Sequence, residues 1–434
     1  MSNSTELDDD PTIARALLAS LFDAAVASAD PLRCVPPHTP VPAPTGRVVV
    51  AGAGKASAAM AQAVESVARE KGWLDRIEGA VVTRYGHGAP CERVEVIEAG
   101  HPVPDAAGAE AADRLQALIA ALTADDLLIC LMSGGGSALL AAPAAGVTRD
   151  EKAEINRALL RSGVPIDEMN CVRKHISAIK GGRLARTAAP ARVISLMISD
   201  VPGDDPSVIA SGPTVPDPST RDAALEILAR YAIAVPDSVT RLLSGPDGET
   251  PKPGNPVFRK VENLIVARPA EMIAAADDAA RQADCRVVNL GANLEGEARD
   301  LGREHAELAL RLRSERSGDR PLVILSGGET TVTVAGDGRG GRNAEYALGL
   351  ADALAGADGI YAIACDTDGI DGVEDNAGVV VTPDTLERAR AAGFEAADVF
   401  ARNDAYSLFA AIGDLVMTGP TRTNVNDFRA ILIR

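Results

Sequence analysis

The chain has 434 residues, of which 46% are hydrophobic and 24% are charged, and 61 acidic against 43 basic side chains give a formal net charge of −18. This length and apolar content suffice for two or three domains, which excludes a largely disordered protein. The acidic balance excludes binding to nucleic acid or to an anionic membrane by net charge, so an anionic ligand needs a local basic pocket.

The six cysteines are scattered, without the spacing of a zinc knuckle or a redox pair, so we expect reduced thiols in a cytoplasmic protein. The first ten residues are acidic and polar, whereas an export signal is basic and then apolar. The uncharged segment 127–147 is long enough for a membrane helix. Three consecutive glycines at its centre favour a strand, a turn and a helix instead, so no membrane partner is expected.

Residues 11–30 show the helical spacing of Leu and Ala, and a proline-rich connection over 35–46 follows them. We therefore predict a helical arm and a linker over residues 1–46. From Arg47 onwards, short apolar runs alternate with Ala-rich helical stretches, which is the pattern of a parallel α/β sheet.

A stretch rich in Pro and Gly, residues 244–256, indicates a domain boundary, and the α/β alternation resumes after it. We predict an N-terminal α/β domain over residues 1–243 and a C-terminal α/β domain over residues 244–434. The glycine turns described next are expected at the carboxyl ends of strands, where open α/β sheets bind ligands, in a cleft between the domains.

The segment VVVAGAGKAS places Gly52, Gly54 and Lys55 where a strand passes into a helix. Backbone N–H groups, the helix dipole and an ammonium group would converge there on one anion. The segment lacks the glycine and hydroxyl positions of a Walker A loop, and Ser57 occupies the place of the third glycine in a dinucleotide fingerprint. It predicts an anion site; a tight turn with a solvated lysine is the structural alternative.

A second turn, SGGGSALL, follows a later strand, and its glycines allow an anion to approach the backbone closely. A third turn is predicted in LSGGETT. The residues assigned to substrate or nucleotide binding in these two turns are Ser133, Gly134, Gly135, Gly136 and Ser137, and Ser326, Gly327 and Gly328.

The run VRKHISAIKGGRLA carries an unusual density of basic residues for an acidic protein, and we predict a helix through it. On that helix Arg173, Ser177 and Lys180 share one face at i, i+4 and i+7. The run is either a solvated helix surface or the local basic pocket that an anionic ligand requires. Both alternatives stay open, and we include Arg173 and Lys180 among the binding residues.

A glycine-rich loop, GDGRGGRN, carries Arg339 and Arg342, whose guanidinium forks match phosphate or carboxylate oxygens in pairs. Acidic side chains end several predicted strands. Carboxylates beside anion-binding turns suit Mg²⁺, which bridges protein and phosphate. An Asp-rich turn or a helix cap is the alternative for each of these acids, which are Asp200, Glu329, Asp366 and Asp368.

Taken together, these segments resemble the class II glycerate kinases, whose C-terminal part is the MOFRL domain. The resemblance covers nearly the whole chain, through AGAGKASAAMA, AGHPVPDAAG, LMSGGGSALL, ISDVPGDDPSVIASGPTVPD, LSGGETTVTVAGDGRGGRNAE, ACDTDGIDG and MTGPTRTNVNDFRAILI. It implies a Rossmann-like N-terminal domain with helices on both faces of a parallel sheet, and a smaller C-terminal α/β domain. It also implies ATP-dependent phosphorylation of D-glycerate to 2-phosphoglycerate.

In that family the lysine of GAGKAS and an arginine of the GRGGRN loop matter for catalysis, which here implies Lys55 and, as our choice over Arg339, Arg342. We expect both to stabilise charge on the transferred phosphoryl group, with ATP and Mg²⁺ as cofactors. Which carboxylate accepts the proton and which bind metal stays open; we assign Asp200 to catalysis and Glu329, Asp366 and Asp368 to the metal.

Two other functions stay open. Family members have also been labelled hydroxypyruvate reductases, so an NAD(P)H-dependent reductase of hydroxypyruvate or tartronate semialdehyde is the first alternative. A non-catalytic sensor of small hydroxy acids is the second. The partner expected is D-glycerate alone, without nucleic acid or membrane, and a homodimer is open.

Overall fold

A computed structural model describes residues 11–40, 46–316 and 318–434. The acidic first ten residues and part of the predicted proline-rich linker lie outside the described residues. The chain forms two compact units. The N-terminal unit comprises residues 31–266, and the described part of the C-terminal unit comprises helix α1 (Pro11–Ser28) with its following turn and residues 267–434.

Within the described residues, the N-terminal unit contains a six-stranded sheet in the order β3-β2-β1-β4-β5-β6. Neighbouring strands from β3 to β5 pair in parallel, which confirms the predicted α/β class. Every side chain of the first and fourth strands is buried, because helices cover both faces of the sheet. The strands are β1 (Val48–Ala53), β2 (Ile77–Arg84), β3 (Val94–Ala99), β4 (Leu127–Met132), β5 (Arg192–Ile198) and β6 (Val261–Ala267).

The helices of this unit are α2 (Pro31–Cys34), α3 (Ser57–Glu70), α4 (Ala106–Ala120), α5 (Gly136–Leu139), α6 (Arg149–Arg161), α7 (Ile166–His175), α8 (Arg183–Ala188), α9 (Arg221–Arg230) and α10 (Asp237–Ser244). Val49 and Ala51 share a core with Leu115 of α4. Successive side chains of a strand point to opposite faces, so Val48 and Val50 lie on the face of the sheet away from α4. Helix α3 also contacts β1 and β2. Segment 127–147 thus contains a strand and a short helix, as predicted.

The two units divide the chain differently from the predicted boundary at residue 244. Residues 244–266 fold with the N-terminal unit, because β6 adds to its sheet beside β5. Helix α1, predicted as an arm of the N-terminal domain, folds instead with the C-terminal unit, where the rings of Phe22 and Phe428 lie 5.8 Å apart. By length and composition α1 is long and apolar enough to cross a membrane. Its buried side chains, Leu18 and Leu21 among them, pack inside this unit.

Within its described residues, the C-terminal unit has a mixed sheet in the order β13-β12-β11-β14-β9-β7, and a separate parallel pair, β8 and β10. These strands are β7 (Arg286–Asn289), β8 (Gly296–Glu297), β9 (Leu322–Gly328), β10 (Thr330–Thr331), β11 (Ile360–Asp366), β12 (Gly378–Val381), β13 (Leu415–Val416) and β14 (Asp427–Ile433). The helices are α11 (Pro269–Gln282), α12 (Ala298–Glu315), α13 (Arg342–Leu354), α14 (Thr385–Ala391), α15 (Ala396–Arg402) and α16 (Ala405–Ala411).

The position of β14 determines which side chains meet in the C-terminal unit. This strand runs antiparallel to both β11 and β9, and it places Asp427 opposite Asp366 on one side and Gly328 on the other. The last residues of β9 and β11 therefore lie beside the first residue of β14. All six cysteines lie among the described residues and carry free thiols, as expected.

Candidate active site

The glycine turns that follow β1 and β4 lie against each other. The Lys55 amide donates to the Gly134 carbonyl at 2.9 Å, and the Ala56 amide donates to Ser133 Oγ at 3.0 Å. Gly54 has φ +138°, and a Cβ atom there would lie 2.1 Å from Ser133 Oγ. The carboxyl ends of these neighbouring parallel strands thus form one surface that carries Lys55, as the sequence led us to expect.

His101 lies against the second of these turns. Gly135 has φ +83°, and a Cβ atom there would lie 2.9 Å from His101 Nε2. Burial and the charges of Lys55 and Arg84 lower the pKa of His101 to about 4, so its imidazole is neutral near pH 7. The sequence analysis missed His101, although it belongs to the AGHPVPDAAG segment that carries part of the family resemblance.

Lys180 binds the far end of the same turn. Its ammonium group donates to Ser137 Oγ at 2.5 Å, and Ser137 Oγ also lies 3.0 Å from Ser211 Oγ. Only 5% of Lys180 is exposed, and burial, together with the charges of Lys152 and Arg173, lowers its pKa well below the ordinary value. Ser137 and Lys180 therefore meet as the predicted site requires.

Lys152 was missed by the sequence analysis. It stands on α6 but is only 4% exposed, and its ammonium donates to the Ala142 carbonyl at 2.7 Å. Burial and the charge of Arg173 lower its pKa to about 7. We call Lys152, Arg173 and Lys180 the cation cluster. Among the residues that the structure describes, no carboxylate pairs with any of the three.

The predicted helix through the basic run is wrong, because α7 ends at His175. Ser177 instead turns the chain: its hydroxyl accepts from the backbone amides of residues 179 and 180. Lys174 forms an ion pair with Asp217 at 3.5 Å, and His175 Nε2 lies 3.1 Å from Glu249. Lys174 and His175 of this run thus make structural contacts, whereas Arg173 and Lys180 belong to the cation cluster.

The remaining predicted groups of this unit lie at the same edge of the sheet. Gly52 is the fifth residue of β1, and a Cβ atom there would lie 2.1 Å from the Leu131 carbonyl oxygen, so β4 requires a glycine at this position. Asp200 is half-buried and follows β5 by two residues. Since β5 pairs in parallel with β4, Asp200 extends from the edge that carries the glycine turns.

In the C-terminal unit, Arg342 begins α13 and binds carboxylates from three different strand ends or loops. Its Nε donates to Asp427 at 2.9 Å, its Nη2 to Asp366 at 2.9 Å and its Nη1 to Glu329 at 2.6 Å. The three negative charges raise the pKa of Arg342 well above its usual value against the opposing effect of burial. The guanidinium is therefore permanently charged and held in one orientation.

Asp427 is fully buried and was missed by the sequence analysis. Its second oxygen accepts from Arg429 at 2.8 Å, and Asn343 Nδ2 donates to its first oxygen at 2.9 Å. Nearby, Asp371 accepts from the backbone amides of Asn343 and Ala344, both at 2.9 Å, and so caps α13 from another loop. Burial raises the pKa of Asp371 to about 7, and the charges of Asp427 and Asp366 add to the shift.

The carboxylates predicted to bind Mg²⁺ are engaged with other groups of the chain. Glu329 and Asp366 are held by Arg342, and Asp368 accepts from the Ile370 amide at 2.8 Å. In the described ranges, no group of three or more His, Cys, Asp or Glu side chains is arranged to hold a metal ion. A cation that neutralises these acids is already present in the chain, as Arg342.

Two further predictions for this unit differ from the structure. Ser326, Gly327 and Gly328 are not a turn but the last residues of β9, buried because β14 pairs with them. A Cβ atom at Gly328 would lie 2.2 Å from the Leu294 carbonyl oxygen, so the glycine serves close packing. Arg339 is engaged with Glu374 and stacks over the Tyr406 ring at 4.2 Å, whereas Arg342 lies among the acids.

These features define an α/β protein with glycine turns and lysine side chains at the carboxyl edge of a parallel sheet. The domain described as a domain of unknown function (DUF4147) matches residues 17–244, and the MOFRL family matches residues 322–427. A protein of Agrobacterium vitis named as a hydroxypyruvate reductase is 53% identical over 424 residues, which cover 97% of this chain and 94% of the relative.

The D-glycerate 2-kinase of Thermotoga maritima is 39% identical over 383 residues, which cover 88% of this chain and 89% of the relative. A crystal structure of glycerate kinase from Thermotoga maritima matches with a TM-score of 0.87 at 37% identity, covering 98% of this chain and 100% of that chain. The chain belongs to the family that combines the DUF4147 and MOFRL domains and includes these glycerate kinases. The resemblance inferred from the sequence motifs is thereby confirmed.

Proposed function

We propose that the protein transfers the terminal phosphoryl group of ATP to the 2-hydroxyl of D-glycerate and forms 2-phosphoglycerate and ADP. The observation that carries this proposal is the surface formed by the two glycine turns. Lys55 lies on one turn, and the Lys180 ammonium group donates to Ser137 at the end of the other. Phosphoryl transfer needs mainly positioning and neutralisation of charge, and the half-buried Lys55 and the buried Lys180 beside the glycine turns support both.

In the proposed reaction the oxygen of the 2-hydroxyl forms a bond to the γ-phosphorus, and the bond from that phosphorus to the leaving oxygen of ADP breaks. Lys55 and Arg342 would each stabilise the charge that develops on the transferred group. Asp200 would accept the proton of the hydroxyl. Mg²⁺ would enter with the nucleotide as part of the substrate, because Arg342 holds two of the three predicted metal ligands, Glu329 and Asp366.

A reductase acting on hydroxypyruvate is the competing proposal, and the name of the Agrobacterium vitis relative favours it. Such an enzyme needs a nicotinamide site. The turn after β1 carries Ser57 at the third glycine position, and β2 ends with Thr83 and Arg84 rather than with an acid for the ribose of NAD, although Arg84 could meet the 2′-phosphate of NADP. The chain therefore offers fewer groups for a dinucleotide than for a phosphoryl donor.

Two assays on the purified protein separate these proposals. The first follows ADP release from ATP and Mg²⁺ with D-glycerate, and the second follows NADPH oxidation with hydroxypyruvate. We expect activity in the first alone, and NMR spectroscopy of the product should show the phosphate on the 2-oxygen. NADPH oxidation without ADP release would refute the kinase, and inactivity in both assays would favour a hydroxy-acid sensor.

A cytoplasmic location stays a prediction from composition.

A further inference from the structure

The cation cluster of the N-terminal unit has no counter-charge within the described chain. Lys152 and Lys180 are 4% and 5% exposed, and their ammonium groups bind a backbone carbonyl and a serine hydroxyl. Arg173 is half-buried beside them, and the charges that act on the two lysines are cationic. Arg173 therefore opposes the charging of both lysines, and Lys152 opposes the charging of Lys180.

Such an arrangement weakens the folded state unless something else compensates for it. A buried charge without a partner costs free energy, because the protein interior replaces its hydration shell poorly. Among the other buried cations of the described residues, Lys174 contacts Asp217 and Arg429 contacts Asp427, whereas Arg183 donates to backbone carbonyls. The cation cluster differs from these single side chains because three cations act on one region without a carboxylate, which points to an anion that arrives from solution.

The cluster also has the hydroxyl groups that a small hydroxy acid would need. Ser137 Oγ accepts from Lys180 at 2.5 Å and lies 3.0 Å from Ser211 Oγ. Ser177 Oγ donates to the Ala142 carbonyl at 3.3 Å, and this carbonyl is also the acceptor for Lys152. The region is thus lined by positive charges and by hydroxyls that can donate or accept.

We infer that the cation cluster, together with Ser137 and Ser211, is the subsite that binds the carboxylate of the acid substrate. The inference rests on the proposed function for the identity of that acid as D-glycerate. The guanidinium fork of Arg173 matches two carboxylate oxygens, and the lysines add point charges. Nucleotide phosphates share this oxyanion chemistry, and the experiment below separates the two sources.

The proposed subsite and the Lys55 amide contact different residues of the same turn. Lys55 contacts the turn at Gly134, and Lys180 contacts it at Ser137, three residues further along. In glycerate the 2-hydroxyl is one carbon away from the carboxylate, and the 3-hydroxyl is two carbons away. A carboxylate held at Ser137 therefore keeps the 2-hydroxyl nearer to its anchor than the 3-hydroxyl.

Replacement of the lysines tests the inference through kinetics. Lys180→Met and Lys152→Met keep most of the buried aliphatic volume and remove the charge. We expect each to raise the KM for D-glycerate by about 30-fold or more, since a buried charged partner is lost, while the KM for ATP changes little. Arg157→Met is the matched control, because Arg157 is exposed on the same helix as Lys152. An increase confined to the KM for ATP would overturn the assignment.

A binding experiment without ATP keeps the inference independent of catalysis. The melting temperature of each protein is measured with D-glycerate, with glycerol, which has the hydroxyls but no carboxylate, and with ADP. We expect D-glycerate, but not glycerol, to raise the melting temperature of the wild type. Lys180→Met should lose the increase with D-glycerate and keep the increase with ADP. Without ligand, Lys180→Met should melt above the wild type, which also shows that it folds.

The outcomes distinguish this inference from the proposed function. A protein without kinase activity whose D-glycerate shift depends on Lys180 and Lys152 would refute the kinase and support the subsite. An active kinase in which both variants bind D-glycerate like the wild type would refute the subsite. A loss of the ADP shift with the D-glycerate shift retained would likewise refute it and assign the cluster to nucleotide phosphates.

Discussion

Arg342 Nε donates to Asp427 Oδ1 at 2.9 Å, and the other oxygen of that carboxylate binds Arg429 at 2.8 Å. Asp427 therefore fixes two guanidinium groups at once. Arg429 is 1% exposed, and its guanidinium lies 5.1 Å from the centre of the Tyr346 ring. The orientation of Arg342 at the start of α13 thus depends on packing that extends along β14 and under the helix.

Replacement of Asp427 should disturb both stability and turnover. In Asp427→Asn the two guanidinium groups lose the charge between them, and we expect a loss of about 3–5 kcal/mol of unfolding free energy, as for other broken buried ion pairs. Turnover should fall as well, because Arg342 loses one of its three anchors. Urea unfolding and kcat measure the two effects. Asp352→Asn is the control, because Asp352 lies on the exposed side of α13. Equal changes in unfolding free energy and kcat for the two variants would contradict the role of Asp427.

Lys55→Ala should abolish most of the activity without unfolding the protein. We expect kcat to fall by about 100- to 1,000-fold, the range seen when one group that stabilises transition-state charge is removed. The melting temperature should change little, because the backbone amide of Lys55, which Lys55→Ala keeps, holds the turn to the Gly134 carbonyl. Lys71→Ala, at the exposed end of α3, is the control. A near-normal kcat for Lys55→Ala would refute the assignment.

Gly135→Ala should lower activity more than its effect on stability explains. The positive φ of +83° costs an alanine about 1–2 kcal/mol, and the new methyl group would displace the His101 ring. Gly146→Ala provides a matched control, because Gly146 has φ +82° but nothing within 4 Å of the added Cβ atom. Thermal unfolding should show similar losses for the two variants, while kcat/KM should fall only for Gly135→Ala. Similar kcat/KM values would show that His101 does not matter for the site.

Several features of the site were predictable because they depend on local sequence. The turns at Gly54 and Gly135 follow short apolar runs, and parallel pairing brings the ends of such strands together. The chemistry of the Lys55 turn follows from the same pattern. The predicted α/β class is confirmed for the same reason, since alternating apolar runs and helical stretches indicate a parallel sheet.

Other features depend on contacts between distant segments, which no local pattern records. Lys152 lies in the polar stretch RDEKAE, which is typical of an exposed helix, but it is buried, and its ammonium group donates to the carbonyl of Ala142 in another segment. The acids around Arg342 suggested a metal, but the partner that neutralises them depends on the pairing of β14 with β9 and β11. The Pro- and Gly-rich stretch at 244–256 indicated a boundary, yet β6 returns beyond it to the first sheet.

Lys152 should make the stability of the unliganded protein depend on pH. Its pKa is about 7 in the folded protein, because of burial and the charge of Arg173, against about 10.4 in an unfolded chain. Below pH 7 both states are protonated, and the folded state carries the full cost of the buried charge. Between pH 7 and about 10.4 the unfolded state binds more protons, so the contribution of Lys152 to stability rises with pH.

Lys152→Met isolates this contribution. At pH 6 we expect the variant to be more stable than the wild type by about 1–3 kcal/mol, because the buried ammonium is gone while Ser177 still donates to the Ala142 carbonyl. The difference should shrink between pH 7 and pH 9.5, as the wild type loses the same charge by deprotonation. Urea unfolding at pH 6, 8 and 9.5 measures it. The charged neighbours Arg173 and Lys180 are common to both proteins, so a difference that is constant over this range would mean that Lys152 does not titrate there.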